Sequence, residues 1–263
     1  MLTKVHARVS GAFRAALLTA MVTAGLASGA GAATVTLQGF DRTDIAGAQA
    51  ARDSFLASHK VENLRTETFA GKPAWNGQNG STNPQNTAVG SFASLGGIGS
   101  GGSHINGGSG LEVRGDNTMR WGRFSTSDVL GGKWLDSNDT YGMKWDIGGL
   151  GKFNSLSFFL IDAADVGAKF SIKVGETLFS QVLGAGGRTL NGNIQLVTIL
   201  LPQAVSHLTV ELINNRLNDG FGIDGASIAK VAPVPLPPAA ALLGTGLLAL
   251  GLLRRRAIRP ARL

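Results

Sequence analysis

Period-two alternation of apolar and polar residues most narrows what this chain folds into. Met143, Trp145 and Ile147 alternate with Lys144 and Asp146, and Phe170, Ile172 and Val174 with Lys169, Ser171 and Lys173. Successive side chains of an extended strand take opposite faces, so each run presents one apolar and one polar face. Leu156, Phe158 and Leu160 share a face while Phe159 and Ile161 take the other, as in a strand covered on both sides. Further strands are expected over 194–201, through Leu208, Val210 and Leu212, and over 223–231. Gly175-Glu176 reads as a two-residue hairpin turn into a strand over 177–181. Short strands parted by Gly, Asn and Asp turns close their apolar faces by stacking two sheets. The expected class is therefore mainly β, an antiparallel β-sandwich.

The sandwich is expected to begin with a strand over 34–40. Asp44 then caps a short helix running to about Ser58, with Ala48, Ala51 and Phe55 on its apolar stripe and Arg52 interrupting it. Strand character resumes over 66–69. Residues 71–110 differ: turn formers crowd 77–86, and 90–110 is so rich in glycine that it reads as a mobile loop region. Gly97, Gly99 and Gly101 lack the strand, helix and Lys that a phosphate loop requires.

Charge separates the two ends from the middle. The chain has 24 Lys and Arg against 17 Asp and Glu, net +7. Lys4, Arg8 and Arg14 lie at one end, and Arg254, Arg255, Arg256, Arg259 and Arg262 at the other. Without them, residues 33–231 are close to neutral, so the basic balance does not indicate a nucleic-acid partner. The basic start, the apolar run 15–26 and the small residues Ala30-Gly31-Ala32 make residues 1–32 a secretory signal peptide. Sec machinery and signal peptidase are its implied partners, with cleavage after Ala32 or Ala33. At the other end Val234-Pro235-Leu236-Pro237-Pro238 is stiff and extended. Residues 239–253 are apolar apart from Thr245, and Arg254-Arg255-Arg256 closes them. A helix over 239–253 reaches only about 22 Å, short of a hydrocarbon core of ~30 Å. The uncharged stretch 232–253 crosses if its prolines sit in the interface. Juxtamembrane arginines stay cytoplasmic, which places 33–231 across the membrane, as the signal peptide independently requires.

A proline motif, a short transmembrane helix and an arginine cluster resemble the PEP-CTERM class of sorting signals, in its VPLPA-type variant. The residues that match are Val234, Pro235, Leu236 and Pro237, then 239–253, then Arg254, Arg255 and Arg256. Pro238 stands where the variant usually has Ala. The resemblance implies recognition by an exosortase-type membrane protease, transient anchoring in the inner membrane by the C-terminal helix, and delivery to the cell surface or extracellular matrix. It also implies a connection to exopolysaccharide. Residues 218–228 resemble the last strand of jelly-roll domains in other proteins of that class, which implies a jelly-roll-like sandwich.

Catalytic constellations are sparse. The chain has no cysteine, which removes disulfides, thiol catalysis and Cys-based metal sites. His59, His104 and His207 are far apart in sequence, and no serine sits in G-x-S-x-G. Asp136, Asn138 and Asp139 form one oxygen-rich group, and Asp219 with Asp224 a second. Turn formation is the leading reading of both groups and a calcium site the alternative; no other cofactor is expected. Asp162 and Asp165 have the spacing for a glycosidase pair if a cleft separates them. Among the aromatics, Trp145 is expected to be buried and Trp121 to be the exposed platform for stacking on sugar. The leading expectation is a non-enzymatic exported surface or matrix protein. A calcium-assisted carbohydrate-binding module using Trp121, Asp136 and Asp224 is the alternative, and a secreted glycan hydrolase is a third.

Overall fold

The computed structural model describes residues 32–74, 86–97, 99, 110–115, 122–126 and 132–231. Ala30, the sorting segment Val234–Pro238 with Arg254–Arg256, the expected membrane helix 239–253, His104 and Trp121 lie outside the described residues. Among the described residues no helix is long and apolar enough to cross a membrane.

The described residues form ten strands and one helix: β1 (Thr34–Phe40), α1 (Ile45–Ser58), β2 (Glu62–Glu67), β3 (Ser91–Ser94), β4 (Glu112–Arg114), β5 (Trp134–Asp136), β6 (Gly142–Ile161), β7 (Phe170–Val174), β8 (Thr177–Leu183), β9 (Ile194–Asn214) and β10 (Gly222–Lys230). Every strand pairing is antiparallel. The expected mainly-β class with a short helix is therefore observed.

The strands expected around 143–147 and 155–161 are a single strand, β6, and those at 194–201 and 208–212 are a single strand, β9. The two pair along their whole length, with a break in register in the middle. Gly148 faces His207, then Phe153 faces Val205, then Ser155 faces Leu200. First β6 bulges through 149–152, where Gly149 (φ 70°) and Gly151 (φ 91°) adopt a conformation open chiefly to glycine. Then β9 bulges through 201–204, where Pro202 has no N–H to contribute to a ladder. Opposed bulges bend both strands at one place.

The bend folds one sheet into two layers. On one side β3, β6, β9, β7 and β8 lie in that order. On the other, β1, β9, β6 and β10 follow one another, with β2 and β5 on the outer edge of β10 and β4 beyond β5. Trp145 and Phe158 belong to the same strand and would stand about 40 Å apart if it were straight. Their ring centroids are 6.1 Å apart, edge to face. The two halves of β6 therefore face each other across the core, a β-sandwich-like arrangement.

Both faces of the second half of β6 are covered, as the sequence suggests. Leu156, Phe158 and Leu160 join the main core. Phe159 and Ile161 point the other way, into a smaller cluster with Ala48, Phe124, Ile194 and Leu196 under α1. Asp44 caps α1 by accepting from Gly47 N at 3.1 Å. Arg52 does not spoil the packed face, because its guanidinium lies over the Phe159 ring, 5.8 Å from the centroid.

Two expectations need correction. Strand character ends at Glu67 rather than Phe69, because the Glu67 carboxylate accepts from Phe69 N at 2.6 Å and Ala88 N at 2.9 Å and turns the chain inward. Part of the expected loop region is strand: Ser91–Ser94 pairs with Met143–Asp146. Few side chains suffice there, because Phe92 stacks on Trp145 at 5.4 Å and Phe69 meets Phe92 at 5.7 Å.

Candidate functional site

Because β6 and β9 are folded over, their first and last residues meet at one end of the sandwich. The connections 137–141, 162–169, 184–193 and 215–221 gather there, joined by the segment 122–126. Backbone bonds tie them: Ser137 N donates to Phe221 O at 2.9 Å, Asp162 N to Asn193 O at 2.8 Å and Asn214 N to Tyr141 O at 2.9 Å. Asn138, Asp162, Ala164 and Asn218 all have positive φ, between 58° and 65°. Asn and Asp adopt that conformation readily, whereas Ala164 holds it only where surrounding contacts impose it.

Most of the sequence-predicted oxygen ligands lie at this end, in different roles. Asp136 accepts from Arg123 Nη1 at 2.6 Å and from Asn138 N at 2.8 Å, and both members of the ion pair are buried. Asn138 donates through Nδ2 to Gly110 O at 3.1 Å and to Glu112 Oε1 at 3.3 Å. Glu112 in turn pairs with Arg114 at 2.9 Å. Burial, then the nearby Asp136, pushes the Glu112 carboxyl above its ordinary range. Asp224, wholly buried, accepts from Ser125 Oγ, Thr126 N and Thr126 Oγ1 at 3.0–3.1 Å and from Gly225 N at 2.7 Å. Burial outweighs those donors and raises its pKa to about 7. Asp136 and Asp224 thus pin the 122–126 segment to the ends of β5 and β10.

The remaining carboxylates are less well compensated. Asp162 accepts from Gly192 N at 2.6 Å, yet burial and the charges of Asp165 and Asp219 raise its pKa to about 8. Burial, and then the charge of Asp219, raises the Asp165 carboxyl to about 6. Asp219 accepts from Ala168 N at 2.7 Å through Oδ2, and its backbone carbonyl accepts from Asn214 Nδ2. Its Oδ1 is buried without a donor, as are Asp139 Oδ2 and Asn214 Oδ1. Among the described residues no three His, Cys, Asp or Glu side chains share metal-binding geometry.

The glycosidase pair Asp162 and Asp165 lies in this buried group beside Asp219. Trp145 is buried, as expected, with Nε1 donating to Val89 O at 2.9 Å, and Trp134 is buried too. His207 is a surface residue, 3.0 Å from Asp146. It lines a groove of about 340 Å³ with Ser91 and Thr87. Thr87 Oγ1 is committed to Gly90 O, and no hydrogen bond joins Ser91 to His207.

Arg123, Ser125, Thr126 and Asn214 carry much of this network and were not singled out from sequence. Ser125 and Thr126 lie 98–99 residues from Asp224 in the chain. The available signal was slight: one arginine and two hydroxyl residues within four positions, Arg123, Ser125 and Thr126.

No family model matches the chain, and no curated protein matches it. Among solved structures it is similar to the crystal structure of an apo-form cyclase from Fischerella sp. at 14% identity. That match covers 65% of this chain and 99% of the cyclase, with a TM-score of 0.36. A likeness that distant says nothing about what this chain does.

Proposed function

We propose that the chain is a non-enzymatic exported protein of the cell surface or extracellular matrix, routed by a C-terminal sorting signal of the PEP-CTERM type. Its sandwich, jelly-roll-like on this reading, is the exported part. The reading rests on the two opposed topology signals in the sequence. Each is a hydrophobic stretch with its cations on one side, and both place 33–231 across the membrane.

The described strands run from Thr34 to Lys230, inside the span 33–231 that this reading places outside. β1 opens at Thr34, directly after Ala32 and Ala33. At the other end Asn154 clasps Val231 reciprocally: Val231 N donates to Oδ1 at 2.7 Å, and Nδ2 donates to Val231 O at 3.1 Å. The carboxylates at the loop end support a structural role, because Asp136 and Asp224 are engaged by internal donors.

Deleting residues 234–263 tests the routing. The truncated protein is expected to leave the envelope fraction and appear free in the periplasm or medium. Identical fractionation of the two forms overturns the proposal.

A further inference from the structure

The loop end of the sandwich sorts its charges by depth. Its acids lie inside: Asp139, Asp162 and Asp219 are buried and Asp165 is half-buried. The buried Arg123 meets them there, pairing with Asp136 at 2.6 Å and lying close enough to Asp139 and Asp162 to feel their charges. The exposed charges of the same connections are all cationic: Lys169, Arg188 and Arg216. Two of these converge. A Cβ on Gly167 would stand 3.5 Å from both Arg188 Nε and Arg216 Nη1, and Arg216 Nη1 also donates to Val166 O at 3.0 Å. Among the described residues neither guanidinium pairs with a carboxylate. Like charges held this close repel each other, and an anion laid against both removes the repulsion. Apolar side chains stand beside them. Five large hydrophobic residues are exposed among the described residues, and three of them are at this end: Leu190 at 73%, Tyr141 at 42% and Val166 at 37%. Thr189 ties two of their loops together, its N donating to Ala164 O at 3.1 Å and its Oγ1 to Ala163 O at 2.6 Å. Leu190 therefore follows directly on a residue bonded to the loop that carries Val166.

We propose that this end, with Arg188 and Arg216 meeting at Gly167 and the exposed Leu190 and Val166 beside them, docks on an anionic lipid bilayer. Charge and apolar exposure together name the partner. Guanidinium groups bind phosphate oxygens with paired donors and shed their own water more readily than ammonium groups do. A soluble polyanion would satisfy the arginines and leave Leu190 in water. A bilayer offers apolar depth directly beneath its phosphates, and so covers both. Tyr141 suits the same boundary, with an apolar ring and a polar tip. Three cations and two aliphatic tips give reversible attachment rather than insertion. The last strand runs away from this end, from Gly222 beside Ile161 to Ala229 beside Ser155, so the docking face is remote from Val231. The contact belongs to the folded body alone and does not depend on how the chain is routed.

A flotation assay tests the proposal. The full chain is first held in nanodiscs of phosphatidylcholine, which occupy the apolar stretches 15–26 and 239–253. It is then mixed with vesicles of phosphatidylcholine, with or without phosphatidylglycerol. Binding is expected only where phosphatidylglycerol is present, and is expected to fall as salt rises. Arg188→Gln combined with Arg216→Gln is expected to weaken it roughly thirtyfold, and Leu190→Ser about tenfold. Arg65→Gln combined with Lys152→Gln removes the same charge from exposed positions at the opposite end, and is expected to leave binding unchanged. Equal losses in the two charge variants overturn the proposal, since net charge alone then drives binding. Unchanged affinity in Leu190→Ser overturns it too, as does binding to dextran sulfate without any to vesicles, which makes the partner a soluble polyanion. The chain has no cysteine, so a polarity-sensitive dye on Leu190→Cys reports the contact directly. A blue shift is expected with the anionic vesicles, and an unshifted spectrum overturns the seating of this loop in lipid.

Discussion

At the scale of single residues, Asp224 joins the loop end to the body, and it illustrates how burial and hydrogen bonding oppose each other. Four donors favour its charged form, while removal from water disfavours it, and burial wins. Asp224→Ala leaves the Ser125, Thr126 and Gly225 donors without their acceptor and opens a polar void. The expected loss is about 3 kcal/mol of unfolding free energy, measured by denaturant titration. The pH dependence has a definite sign. The folded pKa, about 7, lies above the unfolded value near 3.8, so the native state holds the proton more tightly. Its contribution is complete below about pH 4, declines as pH rises, and is gone once pH passes about 7. Asp224→Asn cannot titrate, so the difference in stability between wild type and this variant is expected to vary with pH between 4 and 7 and to flatten above that. A difference independent of pH would place the Asp224 pKa in the ordinary carboxylate range.

At the scale of elements, local pattern and long-range pairing set different parts of the fold. β1 and α1 were legible from sequence, including the cap at Asp44, because capping and periodicity act within a few residues. The hairpin of β7 and β8 was legible for the same reason: Gly175 has φ 57° and Val174 pairs with Thr177. That two pairs of strands would each be one bent strand was not legible. Their continuity depends on opposed bulges whose partners lie some fifty residues apart, and Gly149, Gly151 and Pro202 read as breaks when taken alone. The site divides similarly. Asp136, Asn138, Asp139, Asp219 and Asp224 stand out as clustered oxygens, but what engages them comes from segments that only the bend brings near. A double-mutant cycle on Trp145 and Phe158 tests the bend directly. A coupling energy of about 0.5–1.5 kcal/mol is expected from the edge-to-face pair. Zero coupling would mean that the two halves of β6 do not face each other. Phe158→Ala alone is expected to remove about 3–5 kcal/mol, since the ring is fully buried.

At the scale of the whole molecule, charge and hydrophobicity are distributed to separate a neutral body from two basic, apolar ends. A chain whose cations were meant for a polyanion would spread them over the folded surface, but here eight of the 24 sit at the extremities. On the proposed topology those eight stay at the cytoplasmic face while the sandwich lies outside. The body offers suitable reporters, because Lys60, Lys152 and Lys169 are exposed on three separate stretches of the chain. A membrane-impermeant amine reagent added to intact spheroplasts is therefore expected to label all three, to the same extent as after lysis. Labelling is a better readout than proteolysis, because a strand-rich body with paired ladders resists cleavage wherever it lies. Labelling that appears only after lysis would put the sandwich in the cytosol. The arginine triplet would then have to be read as a solvated tail rather than a topology signal.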